Sequence, residues 1–416
     1  MKNIKNHILI LLAAAIVMGA SGCAAAGTAD LMGGLSPNRV DNRRADAAFC
    51  GSMADFSIEL FKKSISDGEN SLISPLSVTL ALAMTANGAD GETLSQMEKL
   101  IGGDIPLGTL NEYLRSYAKN LPDTEKSKLN IANSIWFRDD GDRLRVETDF
   151  LQRNADYYGA AAFKSAFDSQ TTKDINNWVK TNTDGMIDKI IDKIYADNML
   201  FLINAVAFDA EWQAVYNEHS IREGDFTDIT GAVRRVDFMH SGENRYLDDG
   251  MATGFIKPYA GVGYSFAALL PNEGVSIESY IESLTGMGFL DTLKNASDTQ
   301  VNASMPRFEY EYDIDMNDAL IALGIPDAFD AGKADFGRMG ISSGGPLYIS
   351  QVLHKTFISV DGLGTKAGAA TMVVLSDVSM PNPEEPKTVR LDRPFVYAII
   401  DNATNLPVFI GTLVTV

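Results

Sequence analysis

Residues 362–380 read Gly-Leu-Gly-Thr-Lys-Ala-Gly-Ala-Ala-Thr-Met-Val-Val-Leu-Ser-Asp-Val-Ser-Met, and no other stretch of the chain says more about its fold. The stretch begins with glycine and small residues and then becomes apolar. Read at the two-residue period of a β-strand, one face carries only small or apolar side chains: Thr365, Ala367, Ala369, Thr371, Val373 and Leu375. Lys366 falls on the opposite face, where it can stay in water. The pattern predicts a segment able to become the central strand of a sheet, although its glycines also suit a surface loop or linker.

The glycines do not match a phosphate-binding motif. Gly362, Gly364 and Gly368 lack both the Gly-x4-Gly-Lys-Ser/Thr spacing of a P-loop and the Gly-x-Gly-x-x-Gly spacing of a dinucleotide site. The sequence also contains no His-Glu-x-x-His, no Gly-x-Ser-x-Gly and no clustered Cys/His set. We therefore expect neither a cofactor, nor a metal, nor enzymatic activity.

Composition indicates that the chain can bury a large hydrophobic core. The chain has 416 residues, of which 45% are apolar and 22% charged, with a net charge of -20. That charge argues against nucleic acid or an anionic membrane surface as a partner. No internal repeat or mid-chain linker is visible, so we predict one mixed domain over residues 46–416.

The N-terminus is typical of a secreted bacterial protein. Lys2 and Lys5 precede an apolar run over residues 8–20 that is too short to span a membrane, and small residues lead to Cys23. Residues 1–22 are predicted to be a lipoprotein-type signal peptide, Cys23 the lipidation site, and residues 23–45 a flexible tether. The alternative is an ordinary cleavable signal with an incidental cysteine. With lipid on Cys23, the protein would lie on the cell surface or in the periplasm, held to a membrane only by that lipid. It could otherwise be extracellular.

Hydrophobic periodicity predicts a mainly helical first half and a mainly strand-forming second half. Helices are predicted over five segments: 46–64, 77–89, 92–100, 107–120 and 172–187. Strands are predicted over nine segments: 128–137, 199–208, 234–239, 252–258, 264–270, 300–312, 347–360, 395–401 and 406–413. The near-continuous apolar run of 199–208 predicts a strand buried on both faces.

Several blocks in chain order resemble the serpins. They are Asn70-Ser-Leu-Ile-Ser-Pro-Leu-Ser77, Leu200-Phe-Leu-Ile-Asn-Ala-Val-Ala-Phe208 with Trp212, Met305-Pro-Arg-Phe-Glu309, Tyr348-Ile-Ser-Gln-Val-Leu-His-Lys-Thr-Phe357, Asp392-Arg-Pro-Phe-Val-Tyr397 and Phe409-Ile-Gly411. Residues 362–386 are similar to the family's reactive-centre loop. The resemblance implies an α+β fold, with helices around a large central sheet and two smaller sheets, an exposed loop, and a metastable native state.

The resemblance also assigns roles. Four residues match the polar "shutter" where the main sheet opens: Ser74, Ser77, Asn204 and His354. Trp212 matches the "breach", where the loop first enters the sheet. The hinge comprises Gly364, Thr365, Ala367, Gly368, Ala369, Ala370 and Thr371. Taken alone, His354 would be an ordinary core histidine and Trp212 an ordinary packing residue. The family commonly has glutamate at Gly362 and Lys366, and this chain departs from that pattern.

Hinge spacing predicts the reactive bond between Val378 and Ser379, with Leu375 and Met380 as alternatives because the following segment is long. Residues 367–386 contain no Lys or Arg, which disfavours trypsin-like proteases, and valine suits the small apolar pocket of elastase-like serine proteases. We expect a monomeric suicide-substrate inhibitor of such enzymes, with papain-like cysteine proteases as a further partner class. The alternatives are a non-inhibitory serpin that serves as a binding or decoy protein and, more remotely, an enzyme.

Overall fold

A computed structural model describes residues 27–139, 141, 143–365 and 385–416. The helices in these ranges are α1 Ala47–Lys63, α2 Pro75–Ala86, α3 Gly91–Gly102, α4 Leu107–Asn120, α5 Thr148–Tyr158, α6 Ser169–Asn182, α7 Ile277–Ser283, α8 Gly286–Lys294 and α9 Asn317–Ala322. None of these helices has the length and apolar character needed to cross a membrane.

The strands in the same ranges include all those that periodicity predicts, and several others, mostly short, that it does not. They are β1 Ala29–Asp30, β2 Ser71–Ile73, β3 Ser127–Arg138, β4 Leu144–Val146, β5 Ala161–Ser165, β6 Leu200–Glu211, β7 Ile221–Thr227, β8 Val233–Glu243, β9 Tyr246–Asp248, β10 Ala252–Pro258, β11 Tyr264–Pro271, β12 Val301–Pro306, β13 Phe308–Asp315, β14 Gly340–Ser342, β15 Gln351–Val360, β16 Gly364–Thr365, β17 Lys387–Arg390, β18 Phe395–Asp401 and β19 Pro407–Leu413.

The described strands form three large sheets and a small one. The main sheet has the order β1-β5-β3-β6-β16-β15-β13, the second β2-β19-β18-β11-β10-β9, and the third β17-β12-β8-β7, while β14 pairs with β4. Helix α2 is buried along its whole length and packs against β3, β6 and β19, so it lies between the main and second sheets. This mixed architecture confirms the expected α+β fold.

Local chemistry explains several boundaries. Asp46 caps α1 by accepting a hydrogen bond from the Phe49 N–H, and Ser74 caps α2 through the Ser77 N–H. The helix predicted over 172–187 ends at Asn182 instead, because Asp184 and Gly185 adopt positive φ angles of 51° and 75°.

The single strand predicted over 300–312 is two strands in different sheets. β12 belongs to the third sheet and β13 to the main sheet, and the chain changes sheets at Arg307, whose N–H is bonded to the Asp237 carbonyl at 2.9 Å. The apolar pattern could not reveal this break, because both halves bury one face. The run of 199–208 is buried on both faces in β6, as predicted.

The N-terminal segment from 27 to 44 is held against the domain, whereas its small, polar composition predicts a flexible tether. β1 pairs antiparallel with the edge strand β5, and the Asn38 N–H donates to the Asp156 carboxylate at 2.6 Å. Arg43 lies 3.2 Å from Glu112. An unpaired sheet edge offers backbone partners to almost any extended segment, so composition alone could not predict this contact. Cys23 and the signal peptide lie outside the described residues.

Candidate functional site

In the main sheet, β6 and β15 are paired along one half of their length, called the lower half, and are parted in the upper half, nearer the hinge. β6 and β15 pair in parallel from Phe201↔Gln351 to Val206↔Thr356. Above that point β16 lies between them, with Thr365 opposite both Ala210 and Val360. The predicted opening lies between β6 and β15. These strands are therefore direct neighbours in the lower half of the sheet, and Gly364 and Thr365 already separate them in the upper half.

The hinge enters the sheet through a tight turn. Asp361 follows β15, and its carboxylate accepts the N–H groups of Leu363 at 2.8 Å and Gly364 at 3.1 Å. At Gly364 a Cβ would lie 2.0 Å from the Ala210 carbonyl oxygen, inside van der Waals contact with main chain. Only glycine fits here, because the backbone of β6 passes too close for any side chain.

Thr365 is 1% exposed, and its hydroxyl lies 2.5 Å from the Tyr259 hydroxyl. The Thr365 side chain therefore points into the protein, toward Tyr259. The remaining hinge residues, Ala367 to Thr371, and the reactive-bond candidates Leu375, Val378, Ser379 and Met380 lie outside the described residues.

Trp212, the residue that matches the breach, contacts its neighbours through both its backbone and its ring. Its N–H donates to the Leu363 carbonyl and its indole N–H to the Asp361 carbonyl, both at 2.8 Å. The indole stacks on Tyr259 at a centroid distance of 4.4 Å and an angle of 8°. The tryptophan thus contacts the hinge turn directly, which is more than the packing role it would have in isolation.

A buried ion pair lies behind this tryptophan. Lys257 and Glu243 are 2.9 Å apart and nearly inaccessible. The ammonium group also lies 5.3 Å from the Trp212 ring and 4.4 Å from the Tyr216 ring. Periodicity places Lys257 within a strand but gives no sign of its charge partner, because Glu243 comes from another sheet.

The four predicted shutter residues lie together and are buried: Ser74, Ser77, Asn204 and His354. The Ser74 N–H donates to His354 Nε2 at 3.1 Å, and the opposite ring nitrogen contacts the Asn204 side-chain oxygen. The amide nitrogen of Asn204 contacts the Ser77 hydroxyl. The bond between His354 and Asn204 joins β15 directly to β6, the two strands that must part.

Sequence reasoning missed one member of this network. The amide nitrogen of Asn204 also donates to Asn133 Oδ1 at 2.6 Å, and the Ser77 hydroxyl lies 3.3 Å from the same oxygen. The register aligns Asn133, Asn204 and His354 in one row across β3, β6 and β15. Little in the sequence distinguishes Asn133, because β3 also carries Asn130 and Ser134.

Burial decides the protonation state of the histidine. Because Nε2 accepts a hydrogen bond from Ser74, Nδ1 carries the proton and donates to Asn204. Burial lowers the pKa of the His354 imidazole to about 3, so the ring is neutral at physiological pH. The shutter therefore contains no charge and can exchange hydrogen-bond partners without moving one through the core.

No group of three or more His, Cys, Asp or Glu side chains able to hold a metal occurs in the described ranges. The geometry offers instead a sheet parted at one end and joined by neutral hydrogen bonds lower down. Such an arrangement can accept an additional strand.

Comparisons with known proteins agree with this geometry. The family described as "Serpin (serine protease inhibitor)" matches residues 51–416. The crystal structure of the thermophilic serpin tengpin in its native state is 57% identical, with a TM-score of 0.90 over 94% of this chain and 100% of that one. Tengpin in its latent state is 54% identical, with a TM-score of 0.80 over 90% of this chain and 100% of the other. The leukocyte elastase inhibitor of Equus caballus is 29% identical over 86% of this chain and 96% of its own length. The chain belongs to the serpin family of serine protease inhibitors.

Proposed function

We propose that this chain is an inhibitory serpin that traps elastase-like serine proteases by inserting its cleaved loop into the main sheet. The observation that carries the proposal is the position of Thr365, which already occupies the first place of a new strand between β6 and β15. Gly364 permits the close approach, and the buried hydroxyl of Thr365 has a partner in Tyr259.

The register of the sheet specifies where further hinge residues would go. Thr365 faces Ala210 on β6 and Val360 on β15, so an antiparallel strand would place Thr371 opposite Asn204 and His354. The direct bond between these two shutter residues would be replaced by bonds to the Thr371 hydroxyl. Continued to the last row of the β6–β15 pairing, the same register places residue 374 beside Phe201 and Gln351. Insertion would therefore use the whole length of the sheet before it reaches the reactive bond.

The side chains of the stretch suit this pathway. The residues that would share the inward face with Thr365 are small or apolar, and residues 362–380 contain no proline. Proline would remove a ladder hydrogen bond, and a charged inward residue would be buried without a partner. Both absences favour insertion over a non-inhibitory role.

The proposed reactive bond is Val378–Ser379. The target serine would attack the Val378 carbonyl, the Val378–Ser379 bond would break and the Ser379 amine would leave. Insertion would then trap the resulting acyl-enzyme by carrying the protease away. Valine fits a small apolar specificity pocket, and no Lys or Arg is present in residues 367–386 for a trypsin-like pocket. The similarity to a relative named as an elastase inhibitor supports the same specificity.

We further propose that the protein acts outside the cytoplasm, anchored by lipid on Cys23. The charged start, the short apolar run and the small residues before Cys23 support this location. Labelling with a radioactive fatty acid, followed by comparison with Cys23→Ser, tests it; equal labelling of the variant would refute lipidation at this residue.

The experiment for the inhibitory function is to incubate the protein with elastase-like, trypsin-like and papain-like proteases. We expect an SDS-stable complex with the elastase-like enzymes. Mass spectrometry of the released peptide should show that it begins at Ser379. Cleavage without a complex would favour the decoy alternative. Thr371→Val should reduce the stability of the loop-inserted form but leave the initial cleavage rate unchanged, since the hydroxyl acts only after insertion.

A further inference from the structure

One face of the third sheet carries an unusual charge pattern. The registers of β7, β8, β12 and β17 place all their even-numbered residues on one face. Among these positions there is no Asp or Glu, but there are four basic residues: Arg222, Arg234, His240 and Arg390. The whole chain has 55 acidic and 35 basic residues, so this face is the reverse of the average surface.

The charge of one of these residues is offset by a carboxylate, and the side chain of another packs on an aromatic ring. Arg234 pairs at 3.2 Å with the buried carboxylate of Asp228, which offsets its charge. The Arg390 guanidinium lies 5.2 Å above the Phe238 ring, and it fills the space where a Cβ on Gly224 would come within 3.1 Å of its Nη2. Arginine fixed on an aromatic ring loses little further freedom when it binds a partner.

The cluster has residual positive charge. Arg222 bonds through Nε to the His219 carbonyl at 3.4 Å and forms no ion pair with the described carboxylates. Arg390 has one carboxylate neighbour, Asp392, at 3.4 Å. Burial, followed by the charges of Arg222 and Arg390, lowers the pKa of the His240 imidazole below its ordinary value. We call Arg222, His240 and Arg390 the basic cluster.

Chain connectivity limits how far a bound protease can lie from the third sheet. Lys387, the first residue of β17, is eight residues beyond Ser379, and eight residues of fully extended chain reach at most about 28 Å. A protease that holds the Val378–Ser379 bond in its active site must therefore lie within that distance of the third sheet.

We propose that the basic cluster is a docking surface for carboxylates beside the active site of the target protease. The inference rests on the proposed inhibitory function and adds a second determinant of specificity to the loop sequence. Opposite charges steer encounter and accelerate association, while the loop fixes which bond is cut. A polyanion is a poorer occupant, because the cluster is small and the chain as a whole carries a charge of -20.

The test compares two elastase-like proteases, one of net negative and one of net positive charge. The second-order rate constant of inhibition is measured at low and high salt for the natural chain, Arg222→Glu and Arg390→Gln. The matched control is Arg145→Glu, whose side chain is 74% exposed on β4, which pairs with β14. β14 precedes the start of β15, at the end of the main sheet opposite the hinge.

For the anionic protease we expect Arg222→Glu to slow inhibition about five- to tenfold at low salt, with most of the loss removed at high salt. Arg390→Gln should slow it less, and Arg145→Glu should change it less than twofold. The cationic protease should be inhibited no more slowly by any variant. The yield of SDS-stable complex should be unchanged, because trapping depends on the sheet.

Equal slowing by Arg222→Glu and Arg145→Glu would overturn the proposal, since it would reflect net charge alone. An unchanged rate with Arg222→Glu would also overturn it. If Glu384→Gln with Glu385→Gln removed the charge effect, the cluster would bind the chain's own loop instead. If no protease formed a complex, the rate of loop cleavage would still report docking, which separates failure of this proposal from failure of the inhibitory function.

Discussion

His354→Ala should weaken the closed main sheet more than any exposed substitution of the same kind. The change removes the acceptor for the buried Ser74 N–H and the donor to the buried Asn204 side-chain oxygen. Each buried group left without a partner costs about 1–3 kcal/mol, so the closed sheet should lose about 2–6 kcal/mol. Because the second of these bonds joins β15 to β6, its loss should also speed the parting of the sheet.

The histidine makes this loss depend on pH. The pKa of His354 is about 3 in the folded chain and about 6.5 in an unfolded one. The unfolded chain therefore takes up a proton first as the pH falls. The stability from neutral His354 is complete above about pH 6.5 and is lost toward pH 3, at about 1.4 kcal/mol per pH unit. Between pH 6.5 and 4.5 the natural chain should lose about 2.3 kcal/mol through this group, since half of the unfolded chains are already protonated at pH 6.5.

The assay has two readouts: the free energy of urea unfolding, and the time course with which the protein loses its ability to form a complex with protease. The control is His219→Ala, the same substitution at an exposed side chain, for which we expect a change below about 0.5 kcal/mol. A loss of 2 kcal/mol that is fully relieved when the sheet opens corresponds to about thirtyfold faster inactivation. The gap between the natural chain and His354→Ala should narrow as the pH falls from 6.5 to 4.5. A gap independent of pH, or one equal to that of His219→Ala, would refute the role of the neutral ring.

Three further substitutions test the hinge. Gly364→Ala should expel the hinge from the sheet, because its Cβ would lie 2.0 Å from a backbone oxygen; limited proteolysis should cut the loop faster, whereas Gly108→Ala, with open space around it, should behave like the natural chain. Thr365→Arg should turn the inhibitor into a substrate, since a buried guanidinium without a partner opposes insertion; an undiminished yield of SDS-stable complex would contradict the insertion mechanism. Gly362→Glu should place a carboxylate beside Arg307, whose Nη2 is 3.5 Å from the added Cβ, and slow the loss of inhibitory activity on storage about twofold; the effect should vanish with Arg307→Gln, and its persistence there would exclude the ion pair.

The sequence predicted about half of the described helices and strands, those whose signals are strong and local. The helix over 107–120 and the strands over 252–258 and 395–401 have the predicted bounds, since periodicity and flanking turn residues define them directly. Helices α5, α7, α8 and α9, several mostly short strands and the change of sheet at Arg307 were missed. The change of sheet depends on where two sheets meet, which a one-dimensional pattern does not contain.

The site shows the same division. The residues that match the shutter and the breach could be named from motifs. The structure brings the four shutter residues into one hydrogen-bonded network and Trp212 against the hinge turn. Asn133 could not be named, because its role depends on its register beside Asn204. The Lys257–Glu243 pair joins strands of two different sheets, and the basic cluster depends on strand pairing between segments distant in the chain.

By itself, the sequence of residues 362–380 determined that this segment can form a strand with one small, uncharged face, because side chains alternate along any extended backbone. The tertiary structure alone decided that a place for that strand exists. It lies where β6 and β15 part around Gly364 and Thr365, above a neutral hydrogen-bonded row that still joins them. Alternation is a local property of the chain, whereas a parted sheet requires two strands separated by about 150 residues to be held side by side.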